Sequence, residues 1–226
     1  MNFLHPQAME TIEFAPKVTR PELIRAMESL WRKSADYGLL SSEEHMYGEA
    51  TAGSLDKIWQ AIARFVRTDQ RDRLLDWGAG AGKMLISRHF FAPYPDISAL
   101  GVEKDRSVYN ALVRNRTKFN DPMTVIHGDS TLQTSWEGAT LAIQYDGPRQ
   151  AHMEDYHRVI MTKLMTTASL KCLLSTKMCP RLFLDYATLH GEVDVSDWVC
   201  VRISGLNFGG SSYKGHLYIR RRDFLY

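Results

Sequence analysis

Between Arg73 and Thr176 short apolar runs alternate with helix-period segments, and no other feature limits the fold as strongly. The runs are RLLDW, ISALGVE, MTVIHGD, ATLAIQYDG and SLKCLLST, each read as a buried strand. KMLISRHFF, DRSVYNALVRNRTKF and RQAHMEDYHRVIMTKLM read as helices. Strand and helix in alternation predict a mostly parallel sheet wrapped by right-handed crossovers. PRLFLDYATL follows as a short helical candidate, and DWVCVRIS and GHLYIRRR alternate in the manner of antiparallel closing strands.

Upstream, TRPELIRAMESLWRK repeats Leu23, Met27, Leu30 and Trp31 at helical intervals. Thr19 and Glu22 have capping-box spacing, and Pro21 suits a first turn. SLDKIWQAIARFVR is amphipathic, with Leu55, Ile58, Trp59, Ile62, Phe65 and Val66 on one stripe. The expectation is therefore a small helical N-terminal region, residues 1–45, ahead of an α/β body at 46–226. With 226 residues, 44% of them hydrophobic, the chain suits one globular domain with an ordinary core. No repeat or low-complexity tract interrupts it.

The segment LLDWGAGAGKM places three glycines between the first strand and the helix that follows. In an open parallel sheet, ligands bind beyond the carboxyl ends of the strands, near the point where strand order reverses. Three ligand classes compete for such a loop. A P-loop needs G-x-x-x-x-G-K-[ST], but Gly78 and Gly82 are one residue too close and Met84 replaces the hydroxyl. A dinucleotide loop needs G-x-G-x-x-G, and Lys83 stands where its third glycine belongs. S-adenosylmethionine, a nucleoside joined to an amino acid without pyrophosphate, is the class that remains.

Two more carboxylates sit at strand ends. Glu103 closes the second strand, where an acid can accept both ribose hydroxyls. Asp129 closes the third, positioned to accept from an adenine amino group. Either alone reads equally as a turn or cap residue. Together with Asp76 they occupy three successive strand ends, which capping does not explain. Asp105 is read as a helix N-cap.

Asp76, Gly78, Gly80 and Gly82 give D-x-G-x-G-x-G, which resembles the first motif of class I methyltransferases. Tyr47-Gly48-Glu49, an amphipathic helix, this motif, GVEK at 101–104 and GD at 128–129 follow in order. That series resembles the DOT family (disruptor of telomeric silencing) of histone lysine methyltransferases, over residues 46 to about 148. The resemblance implies a class I methyltransferase Rossmann-like fold and S-adenosylmethionine as methyl donor. It implies a cofactor site made by Tyr47, Gly48, Glu49, Thr51, Asp76, Gly78, Ala79, Gly80, Gly82, Lys83, Glu103, Lys104, Asp129 and Ser130. Ala50, Lys83 and Ser130 stand where family members usually carry a hydroxyl residue, Gln and a stacking aromatic. QYDGP occupies the methyl-transfer motif, so Gln144, Tyr145 and Asp146, with Tyr213 from NFGGSSYKG, are the catalytic candidates. Ser175 and Lys177 match a later S-x-K pattern. The implied partner is histone H3 in a nucleosome, and the implied location is the nucleus.

Methyl transfer from a sulfonium is an in-line displacement, so orientation supplies most of the catalysis. A lysine nucleophile, with a free pKa of about 10.4, must also be made neutral. A desolvating aromatic channel, with Tyr47, Tyr145, Phe208 and Tyr213 as candidates, would favour the neutral amine.

Composition bounds the rest. The net charge of +2 does not by itself indicate a polyanion partner, but Arg220–Arg222 and the cluster Arg114, Arg116 and Lys118 are possible DNA contacts. Cys172, Cys179 and Cys200 show no paired spacing, which points away from a disulfide framework or a cysteine zinc site. The eight histidines, His127 and His157 among them, lack metal-ligand spacing, so no metal is expected. Trp77, Met161 and Met165 read as packing. No apolar run nears the roughly 20 residues of a membrane span, and the opening MNFLHPQAMETIEF lacks a secretory pattern. Two other functions remain open: a class I methyltransferase of another substrate such as RNA, and a cofactor-binding module without catalysis.

Overall fold

The computed structural model describes residues 9–16, 20–35, 50–129, 138–144, 159, 162, 163, 166–176, 178–190, 194–208 and 211–226. Eight strands among them form one sheet: β1 (Thr11–Phe14), β2 (Arg73–Trp77), β3 (Ser98–Glu103), β4 (Thr124–His127), β5 (Leu141–Gln144), β6 (Cys172–Ser175), β7 (Trp198–Phe208) and β8 (Ser211–Arg220). Their order is β1-β7-β8-β6-β5-β2-β3-β4. The central strands are parallel, and β8 runs antiparallel between β6 and β7. The expected mostly parallel sheet with an antiparallel closing strand is what the chain forms.

The described helices are α1 (Pro21–Ser34), α2 (Ala52–Phe65), α3 (Lys83–Phe91), α4 (Arg106–Lys118) and α5 (Pro180–His190). The stripe read in α2 is buried throughout. It packs with Met27 and Trp31 of α1, Leu85 and Ile86 of α3, and Leu74, Ile143, Leu174 and Val201 on one face of the sheet. Leu75, Trp77, Val102, Leu173 and Tyr218 face the other way, against Phe183 of α5. Both faces being covered explains why the central strands read as continuous apolar runs rather than alternating ones.

Two details differ from the sequence reading. TIEF was not read as a strand, yet β1 extends the sheet edge by pairing with β7 from Thr11↔Cys200 to Phe14↔Ile203. Four residues at an edge give too short an alternation to register. The capping-box residue Thr19 lies outside the described residues, and Arg20, which precedes α1, makes no side-chain cap. The Arg20 Nε instead donates to Asp56 Oδ1 of α2 at 2.6 Å.

Strand order reverses between β2 and β5. From β2 the chain proceeds outward through β3 and β4, then returns to β5 on the other side of β2. The glycine loop leaves β2 at this switch point, which is where an open sheet leaves room for a ligand.

Candidate active site at the strand tips

Residues 78–82 turn sharply between β2 and α3. Gly78 N and Ala79 N both donate to Val102 O, at 2.8 and 3.0 Å, which pins the loop to the neighbouring strand. Gly82 has φ +92°, and a Cβ there would meet Leu112 Cδ1 of α4 at 2.6 Å. Gly78 has φ +75°, but a Cβ would meet nothing within 4 Å, so this side of the loop is open to a ligand.

Glu103 closes the loop from β3. Its Oε2 accepts from Gly80 N at 2.9 Å, and its Oε1 accepts from Asp105 N at 2.9 Å. Burial raises its pKa above the usual carboxylate range, although the Asp105, Gly80 and Lys104 N–H groups pull it back down. Asp105 caps α4 as read from the sequence, accepting from Ser107 N and Val108 N.

Asp76 is fully buried one residue before the end of β2, and its Oδ1 has no hydrogen-bond partner among the described residues. Burial pushes its carboxyl up to about 8, and the charge of Glu103 adds to the shift. A buried acceptor with no donor calls for an explanation, and an incoming donor or cation supplies one. At the tip of β4, Asp129 Oδ2 accepts from Lys104 Nζ at 3.1 Å, an exposed pair that spans the β3 and β4 ends.

This donor set suits one ligand class. The acids at the ends of β2, β3 and β4 offer acceptors, a poor match for a pyrophosphate. Glu103 and Asp129 match sugar hydroxyls and an amino group, and the partnerless Asp76 oxygen matches a donor or a cation that would favour its ionised form. The open Gly78, the orphaned Asp76 oxygen and the acids at 103 and 129 therefore fit S-adenosylmethionine.

Some predicted residues are placed elsewhere in the network. Thr51 caps α2, its Oγ1 accepting from Ser54 N at 3.2 Å, while its own N donates to Asn207 O. Lys83, the first residue of α3, is buried and directs Nζ to both carboxylate oxygens of Glu28 at 3.3 Å. Tyr213 lies on β8 opposite Leu206 and packs against the α1–α3 side of the core. Tyr47, Gly48, Glu49, Ser130, Tyr145, Asp146 and Lys177 lie outside the described residues, as does the side chain of Phe208.

Gln144 ends β5 directly across the switch point from Trp77. It is buried, and its Oε1 accepts from Ser175 Oγ at 3.3 Å. Ser175 in turn pairs in register with His216. In the sequence His216 belongs to no ligand-spaced or catalytic motif. It is buried, its Nδ1 has no hydrogen-bond partner among the described residues, and burial lowers its pKa to about 4, helped by Arg202. The available signal was a histidine at an inward position of an apolar strand, GHLYIR.

The basic tract 220–222 lies at the opposite end of the sheet from the glycine loop. Arg220 pairs with Trp198 at the start of β7, beside the amino end of β6. Its Nε donates to Leu170 O at 2.9 Å and its guanidinium lies 4.8 Å from the Trp198 ring centroid. Arg221 Nη1 donates to Glu10 Oε2 at 3.0 Å, and Arg222 bonds Ala168 O. These arginines bond groups at the base of the sheet, at the end remote from the glycine loop. Among the described residues no group of His, Cys, Asp or Glu is arranged to hold a metal ion, and no helix is long and apolar enough to cross a membrane.

No protein-family model and no curated protein matches the chain. Solved structures do. A Pyrococcus horikoshii protein provisionally described as an RNA methyltransferase aligns at TM-score 0.59 and 14% identity, over 90% of this chain and 98% of its own. Human methyltransferase 10 domain containing protein aligns at TM-score 0.58 and 16% identity, over 88% and 97%. The METTL16 methyltransferase domain aligns at TM-score 0.55 and 14% identity, over 91% and 82%. With the sheet order, the switch-point loop and these alignments together, the chain has the class I methyltransferase fold.

Proposed function

We propose that this chain is an S-adenosylmethionine-dependent methyltransferase whose acceptor is RNA. The observation that carries the methyltransferase reading is the Gly80–Glu103 link beside the orphaned Asp76 oxygen, a carboxylate-lined loop suited to a nucleoside and a cation. RNA is favoured as acceptor because one structure aligned along nearly its whole length is described as an RNA methyltransferase.

When bound, the cofactor supplies an electrophilic methyl carbon. The residues of this chain hold it and orient the acceptor. Glu103 accepts from the ribose, Asp129 from the adenine amino group, and the open face of Gly78 lets the backbone come close. Gln144, at the end of β5 next to the glycine loop, orients the acceptor, its side chain fixed by Ser175. The transfer is an in-line displacement, and alignment of acceptor, methyl carbon and sulfur is where such catalysis gains most.

A second reading is favoured by a specific observation. Glu103 and Lys104 of GVEK stand at the β3 tip and Asp129 at the β4 tip, in the order of the DOT family motifs, with Tyr47-Gly48-Glu49 upstream. On that reading the acceptor is a histone lysine, the partner a nucleosome and the location the nucleus.

Incubation with labelled cofactor in the presence of RNA, nucleosomes or free histones tests both. Label on RNA supports the first reading, and label on histone alone replaces it with the second. Cofactor binding with no label on any acceptor leaves a binding module.

A further inference from the structure

One row of in-register residues crosses the sheet at the carboxyl ends of the parallel strands. It runs from Arg202 of β7 through His216 of β8 and Ser175 of β6 to Gln144 of β5. Ser175 and Gln144 are the last residues of their strands. In-register partners on neighbouring strands point to the same face, and side chains two positions along a strand return to it. The next row down on this face holds Cys200, Tyr218, Leu173 and Ala142, all buried in the apolar core. Polarity therefore begins at the tips, in the row that contains Gln144.

Packing does not account for His216 in this row. The residue is 8% exposed, and its Nδ1 has no hydrogen-bond partner among the described residues. A histidine buried for structure alone satisfies its ring nitrogens, because an unpaired polar atom in the interior is costly. The neighbours of His216 bond other groups. Ser175 Oγ donates to Gln144 Oε1 at 3.3 Å and accepts from Met178 N at 3.0 Å. Tyr218, whose ring centroid lies 6.4 Å away, donates its OH to Met178 O at 2.6 Å. Arg202 bonds Glu13 of β1. Burial first, then Arg202 and Lys214, lower the pKa of His216 to about 4, against the opposing charge of Glu13. Near pH 7 the ring is neutral, with one nitrogen that donates and one that accepts.

An unpaired nitrogen beside the residue that orients the acceptor calls for a ligand. Neighbouring strands lie about 4.8 Å apart, so two spacings, about 10 Å, separate the backbones of His216 and Gln144. A planar base bonded at both edges suits that separation. We propose that His216 is a specificity-determining residue of the acceptor site, hydrogen-bonding the edge of a nucleobase whose reacting atom Gln144 orients. A neutral imidazole and a carboxamide each present a donor and an acceptor. That is the complement of an unstacked base edge, which is what sequence-specific RNA recognition reads. A lysine ammonium offers donors only, and the Arg202 charge that acts on His216 disfavours a second cation there. The row thus favours a base over a lysine as acceptor.

This inference rests on RNA being the acceptor, and the test separates the two. Labelled methyl transfer from S-adenosylmethionine to total cellular RNA is measured beside S-adenosylhomocysteine affinity by calorimetry. His216→Phe, which keeps a ring and removes both polar atoms, should lower kcat/KM for RNA by about tenfold or more. Its S-adenosylhomocysteine affinity should change by less than about twofold, since β8 is separated from β3 by three strands. That binding also shows the variant to be folded. His216→Gln, which retains a donor and an acceptor, should recover most of the lost transfer. An unchanged kcat/KM in His216→Phe overturns the inference and leaves RNA as the acceptor. So does equal loss of cofactor affinity and transfer, with Gln no better than Phe, the result of a role in packing alone. A wild type that binds S-adenosylhomocysteine but labels no RNA overturns the acceptor reading and the inference with it.

Discussion

Glu103 Oε2 accepts a hydrogen bond from Gly80 N across 2.9 Å, so the tip of one strand fastens the ligand loop of its neighbour. On the proposed function the Glu103 carboxylate does two things: it shapes the loop and presents its remaining lone pairs to a sugar. Glu103→Ala removes both. S-adenosylhomocysteine affinity should fall by about 10- to 100-fold, the scale of one or two charged hydrogen bonds. Glu103→Gln should fall in between, and unaltered affinity in Glu103→Ala contradicts the assignment.

The loop and its acids were legible in the sequence because each depends on local chemistry. Gly78 and Gly82 need positive φ, and Asp76, Glu103 and Asp129 recur at the ends of apolar runs. The contact of α1 with the exit of the glycine loop was not legible. Glu28 meets Lys83 only because a helix 55 residues earlier packs over α3, and no short spacing encodes that (|i−j| = 55). His216 was hidden for a related reason: its register with Ser175 depends on β8 inserting between β6 and β7. The partners of the arginines at 220–222 were not legible either, because only the topology brings Leu170, Glu10 and Trp198 beside them.

Asp76 should make the ligand-free protein less stable as pH rises. Its folded pKa of about 8 lies above the unfolded value of about 3.9. A group raised in this way favours the folded state most below the unfolded value, and that contribution is lost as pH climbs through the folded one. Asp76→Asn should remove this slope. Urea midpoints measured from pH 4 to pH 8 should converge between the two proteins at the acid end and diverge above it, with the variant more stable. Parallel curves would show that Asp76 is ionised in the folded protein.

Asp121 predicts the opposite slope. It is buried with Arg88, whose Nη1 and Nη2 donate to it at 2.8 and 2.6 Å, and it also bonds His89 Nε2 and Met123 N. Burial alone would raise its pKa, but His89, Arg88 and Met123 outweigh burial and bring it to about 2. A lowered carboxylate stabilises the fold above its unfolded value, and that support fades as pH falls from about 4 toward 2. Asp121→Asn should be less stable at pH 7 by about 3 to 5 kcal/mol, the scale for leaving a buried charge such as Arg88 unpaired. The deficit should narrow in acid, and a constant deficit across denaturation curves from pH 7 to pH 2 contradicts the sign.

Replacing Arg220, Arg221 and Arg222 with Ala should act on the fold rather than on acceptor affinity. These side chains bond carbonyls and acids at the base of the sheet, away from the strand tips. A lowered thermal midpoint with an unchanged salt slope of RNA binding is expected. A flattened slope would return the tract to a phosphate-binding role.

The central claim is that the carboxylate-lined loop holds a nucleoside joined to an amino acid and rejects a phosphate chain. Titration calorimetry of the full chain with S-adenosylhomocysteine and, separately, with ADP tests it most directly. One-to-one binding of S-adenosylhomocysteine, with no heat from ADP, is the predicted result. Saturable ADP binding that S-adenosylhomocysteine fails to displace would contradict the account.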